Sequence, residues 1–149
     1  MLNGINKNVW DIADDKSIIC ILTNNTITSN GRNIMGAGIA REALDRNPNL
    51  DIQCANCIKN NNYILGIDKI TGATLFRFPT KNDVWFDSRL DVIENSLKEL
   101  KYVAMLNKNY KIYLPRPGCG CGGLDWEIQV KSLCEKYLDK LNNIYIVSK

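Results

Sequence analysis

Leu114-Pro-Arg-Pro-Gly-Cys-Gly-Cys-Gly-Gly-Leu-Asp-Trp126 is the stretch from which the fold is read. Four glycines and two small thiols stand between an apolar strand pattern and a helical one. Glycine lacks a Cβ, so the backbone can come close to a ligand, successive N–H groups can converge on one anion, and the next helix can aim its N-terminus there. Such a loop suits a phosphate. A second one lies upstream, Asn33-Ile34-Met35-Gly36-Ala37-Gly38-Ile39-Ala40, again after an apolar strand and opening a helical pattern. Two such loops predict a diphosphate held between them.

The chain between and around the loops alternates strand and helix patterns without repeats or low-complexity linkers. Residues 8–12 and 17–23 read as strands, the second almost wholly apolar through Ile18-Ile19-Cys20-Ile21-Leu22, as a strand covered on both faces should be. Helices are predicted over 38–46 and 50–60, the latter ended by Asn60-Asn61-Asn62. Residues 63–67 and 74–78 flank Asp68-Lys69-Ile70-Thr71-Gly72, whose turn chemistry predicts a hairpin, with Pro79 closing its second strand. Leu90, Ile93, Leu97, Leu100 and Ala104 recur at helical spacing within 88–107. A short strand at 111–114, an amphipathic helix over 126–141 and a last strand at 144–147 complete the order. The expected fold is a three-layer α/β/α sandwich with a mixed central sheet, one domain over 1–149. Ligands of such sheets bind beyond the carboxyl ends of the strands, where both glycine loops fall.

Composition narrows the function. A chain of 149 residues with 45% hydrophobic and 23% charged content can bury an ordinary core. A net charge of +3 with dispersed lysines is too weak to imply nucleic-acid binding by itself, but suits an anionic small molecule. No basic segment followed by an apolar run opens the sequence, and no run approaches the roughly twenty residues a membrane helix needs, so a soluble cytoplasmic protein is expected. Of six cysteines, Cys20 falls in a core strand pattern and Cys134 on a helix, so reduced thiols are expected. Cys54 and Cys57 with Cys119 and Cys121 offer four thiolates on paper; buried small thiols are the preferred reading, and no metal or other cofactor is expected. There is no histidine, which excludes a serine–histidine triad and a histidine general base. Gly36-Ala37-Gly38 lacks the third glycine of a dinucleotide-binding loop, and Gly118 to Gly123 does not run on to the Lys-Ser/Thr of a P-loop.

Taken in order, Trp10-Asp11, Thr23-Asn24, Met35-Gly36-Ala37-Gly38, Phe78-Pro79-Thr80-Lys81 and Pro115-Arg116-Pro117-Gly118-Cys119-Gly120 resemble the macro domains, which bind ADP-ribose. The likeness covers nearly the whole chain. Trp85 and Ser88 after Phe-Pro-Thr-Lys, then Gly-Cys-Gly-x-Gly-Gly-Leu-Asp-Trp, are similar to the branch of the DNA-de-ADP-ribosylating DarG antitoxins and of small phage macro proteins, related to terminal ADP-ribose glycohydrolase.

The resemblance implies roles. Asp11 would accept from the adenine amino group beside the Ile12 backbone, unless it is a surface carboxylate at a strand end. Thr23 and Asn24 would lie near the distal ribose. Gly36, Ala37, Gly38 and Ile39 on one side, and Gly118, Cys119, Gly120, Cys121, Gly122 and Gly123 on the other, would embrace the diphosphate and distal ribose through main-chain N–H groups, with Met35, Thr80 and Pro117 also at the ligand. Lys81 is the implied catalytic residue, since a lysine partly desolvated at a pocket wall can attack an anomeric carbon or stabilise the departing group. One departure matters: where terminal ADP-ribose glycohydrolase carries a loop aspartate, this chain has Gly122 or Gly123, and Asp125 stands where a helix N-cap belongs. The implied activity is hydrolysis of ADP-ribosyl linkages on nucleic acid or protein by a monomer; binding without turnover and action on ADP-ribose 1″-phosphate stay open beside it.

Overall fold

A computed structural model describes residues 2–148. Its centre is β2 (Ser17–Asn24), whose side chains alternate between two apolar clusters and are nearly all buried. Ile18 and Cys20 pack with Phe76, Phe78, Leu97 and Leu138 on one face; Ile19 and Ile21 pack with Leu75, Ala43, Cys54 and Leu65 on the other. A strand flanked by helices on both faces needs no polar side, which is why its sequence is almost continuously apolar.

The remaining elements are β1 (Asn3–Ile5), α1 (Val9–Ile12), α2 (Gly38–Arg46), α3 (Leu50–Asn60), β3 (Ile64–Ile67), β4 (Thr74–Lys81), α4 (Leu90–Leu106), β5 (Lys111–Pro115), α5 (Lys131–Leu138) and β6 (Ile144–Val147). They form one six-stranded sheet in the order β1-β6-β5-β2-β4-β3, parallel except for β3 against β4. Helices α2 and α3 cover one face, α4 and α5 the other. This is the α/β sandwich with a mixed sheet that the alternating patterns predict.

The hairpin between β3 and β4 closes through Asp68, whose N–H donates to the Ala73 carbonyl at 2.8 Å and whose carbonyl accepts from the Gly72 N–H at 2.9 Å. The Asp68 carboxylate is fully buried and accepts from Arg46 Nε (3.1 Å) and Nη2 (2.9 Å), Asn47 Nδ2 (2.8 Å) and Thr71. It ties the hairpin to the end of α2. Burial pushes this carboxyl up, but the Arg46, Asn47 and Thr71 hydrogen bonds outweigh that and hold it well below the usual carboxylate range.

Four local expectations are corrected. Residues 8–12 are not a strand: Asn8 accepts from the Trp10 N–H at 3.0 Å and caps a single helical turn, α1, which Trp10 fastens to α2 by donating to Glu42 at 3.2 Å. The segment 126–141 is not one α-helix. The N–H groups of Gln129 and Val130 both reach the Asp125 carbonyl, at 3.0 and 3.2 Å, opening a π-helical turn over Trp126–Val130 before α5 begins. Pro79 does not end β4, which runs on to Lys81. The Arg77 N–H donates to Tyr63 at the head of β3, so the edge side of Pro79 lies beyond β3 and its missing N–H leaves no ladder bond unmade. Finally, β1 was not expected; three residues are too few to show a period, and pairing with β6 alone makes them a strand.

Candidate functional site

The carboxyl ends of β2 and β4 meet irregularly. Thr23 pairs with Pro79 but Asn24 with Lys81, so Thr80 is an extra residue, a bulge at the strand tips. Its hydroxyl donates to the Thr23 carbonyl at 3.4 Å and its carbonyl accepts from the Arg89 N–H at 2.9 Å. Re-aimed by this bulge, Thr80 and Lys81 line a cavity of about 330 Å³, together with Leu22, Thr23 and Asn24 of β2.

Both glycine loops bound the same cavity. From one side come Ile34, Gly36, Ala37, Gly38, Ile39 and Ala40, the entry and first turn of α2. Ala37 is the helix N-cap and provides no side-chain cap, so the first-turn N–H groups of this nine-residue helix are not satisfied by a capping group. From the other side come Gly118, Gly120, Cys121 and Gly122, with Val84 and Ser88 from the segment before α4. The two loops therefore face each other across one space.

Close packing explains the glycines of the second loop. The Gly122 carbonyl accepts from the Ser88 N–H at 2.9 Å, and the Gly118 carbonyl from the Leu124 N–H at 2.9 Å. A Cβ on Gly118, which has φ +73°, would stand 2.9 Å from Ser88 Cβ and 3.0 Å from Leu124 Cδ1. One on Gly122 would stand 2.5 Å from the Gly118 carbonyl oxygen. Only glycine permits this fold of the loop.

The polar side chains at the cavity divide into spent and unspent groups. Asn24 is spent: its amide donates to the Ile34 carbonyl at 2.8 Å and its Oδ1 accepts from Thr26 N–H and Asn33 Nδ2, holding the loop over 25–33 in shape. Thr23 Oγ1 and Ser88 Oγ are buried and have no partner among the described residues. A buried hydroxyl without a hydrogen bond is costly, and both belong to residues that line the cavity. Lys81 is half-buried and forms no ion pair among the described residues. Among the described residues, no Asp or Glu lines the cavity. Asp125 accepts from the Ile128 N–H at 2.8 Å and is the helix cap expected of it.

Of the residues implied by sequence, Thr23, Asn24, Gly36, Ala37, Gly38, Ile39, Thr80, Lys81, Gly118, Gly120, Cys121 and Gly122 line the cavity. Six do not. Met35 is buried in the core below α2; Pro117 is buried and Cys119 half-buried against the α4/α5 cluster; Gly123 faces the Asp87 carboxylate, 3.0 Å from where its Cβ would be. Asp11 and Ile12 lie on the α1 turn, whose apolar side shares a cluster with Met35 and Ala40. Leu22, Ile34, Ala40, Val84 and Ser88 also line the cavity; Ile34 and Ala40 flank the first glycine loop in sequence, whereas no local pattern marks Leu22 or Val84 as site residues. Ser88 had one signal, its place after Phe78-Pro79-Thr80-Lys81 in the family resemblance. All six cysteines are free, and no group of three or more His, Cys, Asp or Glu residues able to hold a metal occurs among the described residues. Nor, among them, is any helix long and apolar enough to cross a membrane.

This sheet, with its cleft between two glycine loops at the strand tips, is the macrodomain fold. The macrodomain of Thermus aquaticus DarG superposes with a TM-score of 0.74 at 23% identity, over 99% of this chain and 96% of that one. The macrodomain of Mycobacterium tuberculosis DarG gives 0.75 at 23% identity, over 100% and 98%. A Thermosipho africanus DarTG structure in complex with ADP-ribose gives 0.74 at 22% identity, over 89% of this chain and 38% of that longer one. No protein-family model matches the sequence, and no curated protein does.

Proposed function

We propose that the cavity binds ADP-ribose and that Lys81 acts on the bond between its distal ribose and an acceptor. One observation carries the reading: both glycine loops and Lys81 bound a single space at the strand tips. Backbone N–H groups of residues 36–40 and 118–122 hold the diphosphate, with Thr23 and Ser88 on the wall beside them. The likeness in fold to a DarTG structure solved with ADP-ribose supports the choice of ligand. Asp11 and the Ile12 backbone are proposed for the adenine end.

In the hydrolysis, water adds to the anomeric carbon, the bond from that carbon to the acceptor breaks, and the acceptor leaves with the electron pair. It takes up one proton while water loses one, and the Lys81 ammonium stabilises the departing group. Binding energy from the diphosphate orients the carbon against Lys81. Acceptors are nucleic acid or protein, and the protein works as a cytoplasmic monomer.

That no carboxylate lines the cavity among the described residues favours a second reading, a module that holds ADP-ribose without turnover. One panel separates them. Purified protein and Lys81→Ala are incubated with ADP-ribosylated DNA, ADP-ribosylated protein and ADP-ribose 1″-phosphate while ADP-ribose affinity is measured by calorimetry. Release by the wild type alone, with affinity retained in the variant, supports the glycohydrolase. Binding without release from any substrate supports the module, and failure to bind ADP-ribose ends both.

A further inference from the structure

A second cavity, also of about 330 Å³, opens on the far flank of β4, between the end of α3 and the start of α4. Its base is Arg77, only 3% exposed, in a strand otherwise apolar from Leu75 to Phe78. The guanidinium donates from Nε to the Asn62 carbonyl at 2.9 Å and from Nη1 to Asn25 Oδ1 at 3.2 Å, and lies 4.8 Å over the Tyr63 ring. It forms no ion pair, and its Nη2 has no hydrogen-bond partner among the described residues. A buried charge without a counter-charge is expensive.

Among the described residues, none that lines the cavity supplies the missing charge. Cys54 and Cys57 of α3 lie in its field, but burial pushes both thiols up, Cys54 to about 12, so they stay neutral near pH 7. The one carboxylate on the lining, Asp91, is held by Arg89 Nε and Nη2, both at 3.0 Å, and by the Val92 N–H at 3.0 Å. Lining the cavity with Arg77 are instead Asn61, Asn82 and Asn95, exposed residues whose side-chain N–H groups have no partner among the described residues.

We propose that this cavity is a binding site for the phosphate group of a phosphorylated ligand, with Arg77 as its charged floor. Arg77 of β4, Asn61 at the end of α3, Asn82 just beyond β4 and Asn95 of α4 bring donors from several elements to this one cavity. Donors converging from several directions match the oxygens of a tetrahedral phosphate better than the two coplanar oxygens of a carboxylate. The proposal does not depend on what the first cavity binds. An Asn25–Asn82 hydrogen bond of 3.1 Å stands between the two sites, since Asn24 and Lys81 line one and Asn25 and Asn82 the other.

The test is a titration followed by two-dimensional ¹H–¹⁵N spectroscopy, with inorganic phosphate replacing chloride at constant ionic strength and acetate in a parallel series. Saturable shifts of Arg77 Nε–H and of the Asn61, Asn82 and Asn95 side-chain amides are expected with phosphate. Arg77→Gln abolishes them. Asn95→Asp, an exposed change that leaves the Arg77 contacts intact, weakens phosphate at least about tenfold by placing a like charge beside it, and keeps the test valid if Arg77→Gln does not fold. Phosphate shifts confined to the amides of residues 36–40 and 118–123 overturn the proposal, as does equal affinity in Asn95→Asp. Acetate saturating these groups at the same concentration as phosphate overturns the assignment to phosphate. ADP-ribose added separately reports on residues 36–40 and 118–123, so failure of either site is seen without the other.

Discussion

Ser88 is locked against Gly122: its N–H donates to the Gly122 carbonyl at 2.9 Å, and its hydroxyl occupies the space that a Cβ on Gly122 would need. The start of α4 and the second glycine loop therefore form one wall of the cleft, and neither can shift alone. Gly122→Ala drives a methyl into both Ser88 Oγ and the Gly118 carbonyl, so the loop must open. The expected loss is about 1–3 kcal/mol of stability by thermal or urea denaturation, the usual cost of overpacking. ADP-ribose affinity falls at least about tenfold with it, since the loop N–H groups lose their aim. Gly120→Ala is the control, because a Cβ there meets nothing within 4 Å; an equal effect in both variants would mean that close packing is not the reason for Gly122.

Asp68 makes stability depend on acid pH. Its carboxyl sits below the usual range in the folded protein and near 3.9 in the unfolded chain, so the unfolded state binds the proton first. The stabilisation is fully present above about pH 4 and is lost as the pH falls below it towards the folded value. Asp68→Asn leaves the Arg46 guanidinium without its partner and costs on the order of 3 kcal/mol at pH 7. Urea denaturation of both proteins from pH 7 to pH 2.5 checks this: the gap between them should narrow below pH 4. A gap that does not change with pH would rule out a charged Asp68 as its source.

How much was legible in sequence depended on how local the cause was. The apolar run of β2 and the helical spacing of Ile93, Leu97 and Leu100 each reflect burial by a single element, and both elements lie where the patterns put them. The glycine loops were legible for the same reason, since a need for close backbone approach is written in the loop itself. Pro79 was misread because its missing N–H matters only if a neighbouring strand reaches it, and the length of β3 is not written near Pro79. Asn24 looks like a ligand contact in sequence, yet Thr26, Asn33 and Ile34 take up its amide. Ser88 and Arg77 acquire their meaning from partners more than thirty and about fifty residues away, Gly122 and Asn25. No local pattern encodes such pairings.

Lys81 should separate binding from chemistry. It is half-buried and makes no ion pair among the described residues, so its loss removes a partly solvated charge. Lys81→Ala is expected to leave ADP-ribose affinity within about threefold, as for other solvated charges. Single-turnover release from an ADP-ribosylated substrate falls at least about 10²-fold if the amine acts on the reacting centre. Lys81→Arg refines the role: a guanidinium keeps the charge but is a poor nucleophile, so retention of release in this variant identifies charge stabilisation, and its loss identifies attack by the amine. Unchanged release in Lys81→Ala removes the residue from the mechanism.

Cys121 provides a footprint of the cleft that needs no turnover. It is the exposed thiol of the six and lines the cavity, whereas Cys20, Cys54, Cys57 and Cys134 are buried. Burial pushes Cys54 and Cys134 to about 12, which leaves on the order of 10⁻⁵ of each as the reactive thiolate near neutral pH. Burial also raises Cys119, half-shielded beneath the loop. A water-soluble maleimide should therefore modify Cys121 first, in a fast phase that Cys121→Ser removes, as followed by mass spectrometry. Ligand at a hundred times its Kd leaves about 1% of molecules with an open cavity. If ADP-ribose lies between the loops, that concentration slows the fast phase by about the same factor. Modification at an unchanged rate under saturating ADP-ribose would show that the nucleotide, if it binds at all, does not sit against residues 118–122.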